Sequence, residues 1–181
     1  DVCSKLTGAT AICFDHTKRC SDPSEREKLG SQESAAFVHL DYSELGAKNR
    51  FLDVCGKNPP SDQRYAIVNV WRGIRDIKSN PLVYVFAIFN FYISKALCDS
   101  STTDESDFIE VERRSKNRVG YVQQVCHQKK HKWFYFPDMK KNNAVVFKTF
   151  DSSRKVARFV PHSSCDIGDG YYSYFIRIIC L

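Results

Sequence analysis

Short runs of β-branched and aromatic residues recur along the whole chain, and this recurrence limits the fold more than any other feature. Tyr65 to Trp71 is the clearest run, with Ile67, Val68 and Val70 suited to a pleated backbone. Residues 9–16 read as a strand ending in a polar turn, and Ala35 to Asp41 alternates in the same way. Lys132 to Pro137, Ala144 to Phe150, Val156 to Val160 and Tyr174 to Cys180 complete the expected set. Helical spacing is confined to residues 43–54, through Leu45, Phe51 and Leu52. Residues 20–34, charged and interrupted by Pro23 and Gly30, predict a surface loop or a short helix. Many strands at close spacing with little helix predict an all-β barrel or jelly roll, not a parallel α/β sheet.

At 181 residues the chain suits a single domain with a substantial core, and its 43% hydrophobic and 27% charged residues are ordinary for a globular protein. The net charge is +6, with basic clusters at Arg113-Arg114-Ser115-Lys116, Lys129-Lys130-His131-Lys132 and Lys140-Lys141. These read as solvated loops and edge strands; without the signature of a nucleic-acid module, no nucleic-acid partner is expected. Eight cysteines at irregular spacing, with no C-x-x-C pair, do not describe a disulfide scaffold. Cys126, His127 and His131 lack the second ligand pair that a structural zinc site needs. Leu82 to Ile93 is almost wholly apolar, but it falls short of the roughly 18 residues of a membrane span. No membrane association is expected, and with no leader at Asp1 a cytoplasmic location is expected.

Chemistry concentrates in Phe37-Val38-His39-Leu40-Asp41. In a strand, His39 and Asp41 project to one side while Val38 and Leu40 project to the other. An imidazole and a carboxylate on one face supply two of the three ligands used by non-haem Fe(II), and a second, distant histidine completes the set with positions left open on the metal. The remaining histidines are His16, His127, His131 and His162. His162 follows the Arg158 to Pro161 stretch, late in the chain, where a jelly roll returns a strand beside an early one. His131, before an aromatic strand, is the alternative, and His16 reads as a polar contact at a strand end.

Thr7-Gly8-Ala9, Phe14-Asp15-His16-Thr17, Val38-His39-Leu40-Asp41 and Ile67-Val68-Asn69-Val70-Trp71-Arg72 occur in that order. His131-Lys132-Trp133-Phe134-Tyr135-Phe136, Phe147-Lys148-Thr149-Phe150-Asp151-Ser152 and Pro161-His162-Ser163-Ser164 follow. Together these blocks resemble the hydroxylase/desaturase family of secondary metabolism, related to cephamycin hydroxylases and gibberellin-type desaturases. The resemblance covers nearly the whole chain. It implies a double-stranded β-helix (jelly-roll) core with a few short helices, an Fe(II) and 2-oxoglutarate dependence, and oxidation of a small secondary metabolite. It implies His39, Asp41 and His162 as metal ligands and catalytic residues, and Arg72, Ser173 and Arg177 as contacts for the co-substrate, since a guanidinium fork matches a carboxylate.

Three departures from the family pattern stand out. Relatives begin upstream of Asp1, so an N-terminal portion packed around the core is expected to be missing. Pro81-Leu82 and Leu97-Cys98-Asp99 are adjacent in the family but are separated here by an apolar insertion near residues 83–95, whose composition resembles translated intron sequence more than a polar surface loop. Where the family carries Arg-Glu-Ser-Ile-Glu-Val-Arg, this chain has Tyr171-Tyr172-Ser173-Tyr174-Phe175-Ile176-Arg177, with only the Ser and the last Arg in common. Two expectations stay open as a result. One is an active oxygenase; the other is a truncated or mis-spliced relative that keeps the barrel and iron, has lost co-substrate binding, and acts at most as a binding protein.

Overall fold

The computed structural model describes residues 2–20, 22–33, 35, 37–73, 94–115, 118–136, 140–165 and 174–181. The strands among these residues are β1 (Cys13–Cys20), β2 (His39–Leu40), β3 (Ala66–Gly73), β4 (Ser94–Cys98), β5 (Phe108–Ser115), β6 (Arg118–Val125), β7 (Trp133–Tyr135), β8 (Ala144–Asp151), β9 (His162–Cys165) and β10 (Tyr174–Cys180). One antiparallel sheet runs β1-β10-β3-β8 and the other β5-β6-β2-β9-β4-β7. From β1 to β4, and again from β7 to β10, the chain crosses from one sheet to the other at every step. That winding is the double-stranded β-helix, and it agrees with the expected jelly roll. The β5–β6 hairpin lies outside the winding and widens the second sheet beyond β2.

Burial explains which strands were legible. β3 is buried along nearly its whole length: Val68 and Val70 pack under Cys3 of the helix α1 (Val2–Thr7), while Trp71 packs on the other face with Val145 and Phe147 of β8. The larger core cluster gathers Leu40, Tyr42, Ala47, Ile67, Phe150, Phe159 and Ile179. By contrast, β5 and β6 are mostly exposed or half-buried, so their residues lack the apolar alternation that marks a strand, and the hairpin goes unpredicted.

Several expectations need correction. The first strand is Cys13–Cys20, not residues 9–16, because pairing with β10 sets its register; His16 therefore sits within the strand rather than at its end. Among the described residues of the alternating stretch 35–41, His39 and Leu40 alone pair as a strand. Val156 to Val160 forms no strand: Phe159 points into the core and Arg158 donates to the Asp151 carbonyl, so its apolar pattern reflects tertiary packing. The following residues form β9 instead, with His162 at its start. Residues 83–93 of the apolar insertion, like the Leu82 to Ile93 run, lie outside the described residues, and the backbone of 94 and 95 belongs to β4. No helix among the described residues is long and apolar enough to cross a membrane.

Two helices have legible ends. In α2 (Pro23–Leu29) the Asp22 side chain caps the amides of Ser24 and Glu25, Pro23 occupies the first turn, and Gly30 closes the helix. In α3 (Glu44–Cys55) the Ser43 hydroxyl accepts from the Gly46 amide at 3.1 Å, and Gly56 takes the left-handed conformation at φ 69° that ends it. α3 approaches β6 so closely at Gly46 that a Cβ there would collide with the Tyr121 carbonyl oxygen. This contact seats α3 against β6, and the Ser43 amide just before the helix donates to the same Tyr121 carbonyl.

Candidate metal centre

β2 and β9 pair antiparallel with His39 directly opposite His162, which places both imidazoles on one face of the sheet. Their ring centroids lie 4.5 Å apart. His162 is fully buried, and the edge of Phe147, from the facing sheet, packs against its ring at 4.8 Å. Leu40 turns away into the main core cluster, and Asp41, just beyond the end of β2, returns toward the two rings. His39 Nε2 lies 3.7 Å from Asp41 Oδ1, and His162 Nε2 lies 3.4 Å from Asp41 Oδ2. The three residues can offer one ligand atom each within 4.8 Å of one another.

The hydrogen bonds around the rings determine what this cluster can hold. His39 Nδ1 donates to the Phe37 carbonyl at 2.8 Å, and His162 Nδ1 donates to the Val160 carbonyl at 3.1 Å. In each case the acceptor is the carbonyl two residues upstream. A neutral imidazole that donates through Nδ1 presents a lone pair at Nε2. Two such lone pairs then face a carboxylate that can only accept, an arrangement relieved by a cation, a proton or a metal ion, lying among the three. His162 Nε2 is buried without a hydrogen bond; an orphaned buried acceptor costs about 1–3 kcal/mol in an ordinary core. A divalent ion about 2 Å from each donor holds adjacent ligand atoms roughly 3 Å apart, somewhat closer than the 3.4 and 3.7 Å between the carboxylate and the two Nε2 atoms. Two imidazoles and one carboxylate, with the Nδ1 atoms fixed by backbone carbonyls, are the donor set and outer support suited to non-haem Fe(II).

Asp41 Oδ2 also accepts from Asn69 Nδ2 at 2.6 Å. Asn69 is fully buried in β3, opposite Ile179 of β10 and Phe147 of β8. Neither Asn69 nor Phe147 was singled out from the sequence. Asn69 carried a signal nonetheless: it is the one polar residue in Ile-Val-Asn-Val-Trp, a strand otherwise built to be buried. Phe147 also lines a cavity of about 560 Å³ with Leu97, Phe134, Phe136 and Val160, so this apolar space begins one side chain from His162.

The other expected site residues are placed differently. Arg72 is exposed on β3 and shares the strand face of Val68 and Val70, opposite that of Asn69 and Trp71, so it is not brought to the centre. The Arg177 backbone pairs in register with Trp71 and with Thr17. Ser173 lies outside the described residues. His131, the alternative third ligand, is occupied elsewhere: its Nε2 meets Asp107 Oδ2 at 3.1 Å, with both side chains almost completely buried. His16 and His127 are exposed. Among the described residues no metal-ligating group forms around Cys126, His127 and His131.

Comparison with known proteins gives the same direction. A family profile described as Oxidoreductase/YMDC permease-like domain matches residues 1–171. The hydroxylase/desaturase CTB9 of Cercospora beticola is 29% identical over 94% of this chain and 56% of its own length. The alpha-ketoglutarate-dependent dioxygenase tstK of Talaromyces stipitatus is 24% identical over 87% of this chain and 56% of its own. The chain thus spans little more than half the length of these relatives. Among solved structures, the iron and alpha-ketoglutarate-dependent endoperoxidase NvfI superposes with a TM-score of 0.77 at 19% identity, over 99% of this chain and 64% of that one. That likeness reaches across both sheets and concerns the fold. The match over residues 1–171 places the chain in the family described as the Oxidoreductase/YMDC permease-like domain, and its relatives bear out the hydroxylase/desaturase resemblance carried by the sequence blocks.

Proposed function

We propose that this chain is the core of a non-haem Fe(II)- and 2-oxoglutarate-dependent oxidoreductase, a hydroxylase or desaturase acting on a small secondary metabolite. The observation that carries this reading is the convergence of two Nε2 atoms, each with its Nδ1 tied to a backbone carbonyl, on the Asp41 carboxylate. His39, Asp41 and His162 are the ligands in this reading. Bound there with 2-oxoglutarate, iron supplies the oxidising power needed to attack an unactivated C–H bond. The chain's own contribution is to fix the donors and keep water out. The backbone carbonyls set both tautomers, Asn69 holds the carboxylate, and Phe147 covers His162. The apolar cavity beside Phe147 suits an apolar substrate. Of the two arginines that the resemblance implies, Arg177 is the one left to hold the co-substrate carboxylate, because Arg72 faces the other way. We place the described strands in one oxygenase-like domain, working in the cytoplasm.

A second reading has a specific observation in its favour. Arg72 lies off the centre and Tyr171 stands where the family has an arginine, which favours a barrel that keeps iron and has lost its co-substrate. Equilibrium dialysis of the purified chain against Fe(II) under anaerobic conditions tests what the two readings share. One ion per chain is expected, lost in His162→Ala and kept in His131→Ala. The reverse pattern means that the third ligand is wrongly assigned, and no binding by the wild type removes both readings.

A further inference from the structure

The Asn69 side chain does nothing for the fold that an apolar residue would not do better. It sits at the centre of β3, fully buried between Ile179 and Phe147, with Ile67 and Trp71 beside it along the strand. Its Oδ1 is buried and makes no hydrogen bond. Half of the amide's capacity is therefore desolvated without return, in a strand where a branched hydrocarbon would pack. The other half is spent on one atom: Nδ2 donates to Asp41 Oδ2 at 2.6 Å, a short bond strengthened by the charge of its acceptor. The orientation of the amide follows from chemistry. An ionised carboxylate only accepts, so the nitrogen must face it.

We propose that Asn69 is a positioning residue for the metal centre, holding the Asp41 carboxylate by a hydrogen bond to Oδ2 so that it stays turned toward the two imidazoles. Asp41 lies past the end of β2, and a carboxylate side chain has two bonds of its own about which it can rotate. The imidazoles need no such help, since each has its own carbonyl. Asn69 gives the carboxylate the counterpart of those two contacts, from the opposite sheet. It also ties the β2 end of one sheet to the middle of the other, so the triad is braced across the barrel.

This inference rests on the metal-centre reading, and one experiment separates the two. Co(II), which is stable in air and gives visible ligand-field bands, is titrated into the wild type and into Asn69→Leu, a variant of similar volume with no donor. Thermal unfolding of both metal-free proteins is recorded alongside. The expected result is a Co(II) affinity 10- to 100-fold weaker in the variant, the usual cost of removing an outer-shell contact, with altered bands and a melting temperature equal to or above that of the wild type. Wild-type protein that binds no Co(II) overturns the metal-centre reading itself. Wild-type binding matched within twofold by Asn69→Leu, with unchanged bands, overturns the role of Asn69 and leaves the metal centre standing. Should Asn69→Leu fail to fold, Asn69→Ser, whose shorter side chain falls short of Asp41, is read in the same way.

Discussion

Asp151 ends β8 as a fully buried carboxylate, and its protonation contributes to how the barrel responds to acid. Burial alone would raise its pKa. Hydrogen bonds from Arg64 (Nε at 2.9 Å, Nη2 at 2.6 Å), from Lys148 Nζ at 2.8 Å and from the Ser153 amide at 3.0 Å reverse that, and hold the carboxyl at about 2. A group whose folded pKa is depressed stabilises the fold above its unfolded pKa and loses that contribution as pH falls toward the folded value. The full linkage for such a carboxyl is about 2 kcal/mol at neutral pH. The Arg64 side chain is 58% exposed, and solvent screening of its share reduces the expected figure to about 1 kcal/mol. The window runs from about pH 5 down to about pH 2. Urea unfolding of wild type and Asp151→Asn across this range provides the assay. At pH 7 the variant should be the less stable by about 1 kcal/mol, and the gap should close as the pH approaches the folded pKa. A gap that stays constant down to that pH, or no gap at pH 7, refutes the linkage argument.

Two further substitutions test the packing that positions the centre. Gly46→Ala forces a methyl group against the Tyr121 carbonyl, which as backbone cannot move aside; a loss of about 2–3 kcal/mol is expected from such overpacking, read as a lower urea midpoint. An unchanged midpoint would mean that α3 is not seated on β6 as described. His131→Ala leaves the Asp107 carboxylate buried, although Lys130 and the Asp104 amide still approach it. A loss of about 1–3 kcal/mol follows from removing its imidazole partner, and the metal content should be unaffected, since His131 pairs with Asp107 and is not one of the three converging residues.

How much of this was legible depends on which residues the core constrains. Val38-His39-Leu40-Asp41 could be read because alternation is a local property, and the structure keeps its consequence: Leu40 in the core, His39 and Asp41 together. His162 could be placed only by its expected return beside an early strand, and its register opposite His39 is tertiary. The β5–β6 hairpin escaped because exposed strands such as Ile109 to Arg114 carry charge where a buried strand would alternate. The opposite error occurred at Val156 to Val160, where an apolar pattern belongs to a loop that sends Phe159 inward. Arg72 is instructive in the same way. Its residue type suited a carboxylate, but the parity of β3 puts it on the α1 face with Val68 and Val70.

Whether the metal centre accepts 2-oxoglutarate is decided by anaerobic addition of Fe(II) followed by 2-oxoglutarate, monitored by visible absorption. An oxygenase centre at His39, Asp41 and His162 gives a weak charge-transfer band that appears only when both are present and is absent in His162→Ala. Iron retained by the wild type with no band on adding 2-oxoglutarate refutes the oxygenase reading and leaves a barrel that holds a metal without its co-substrate.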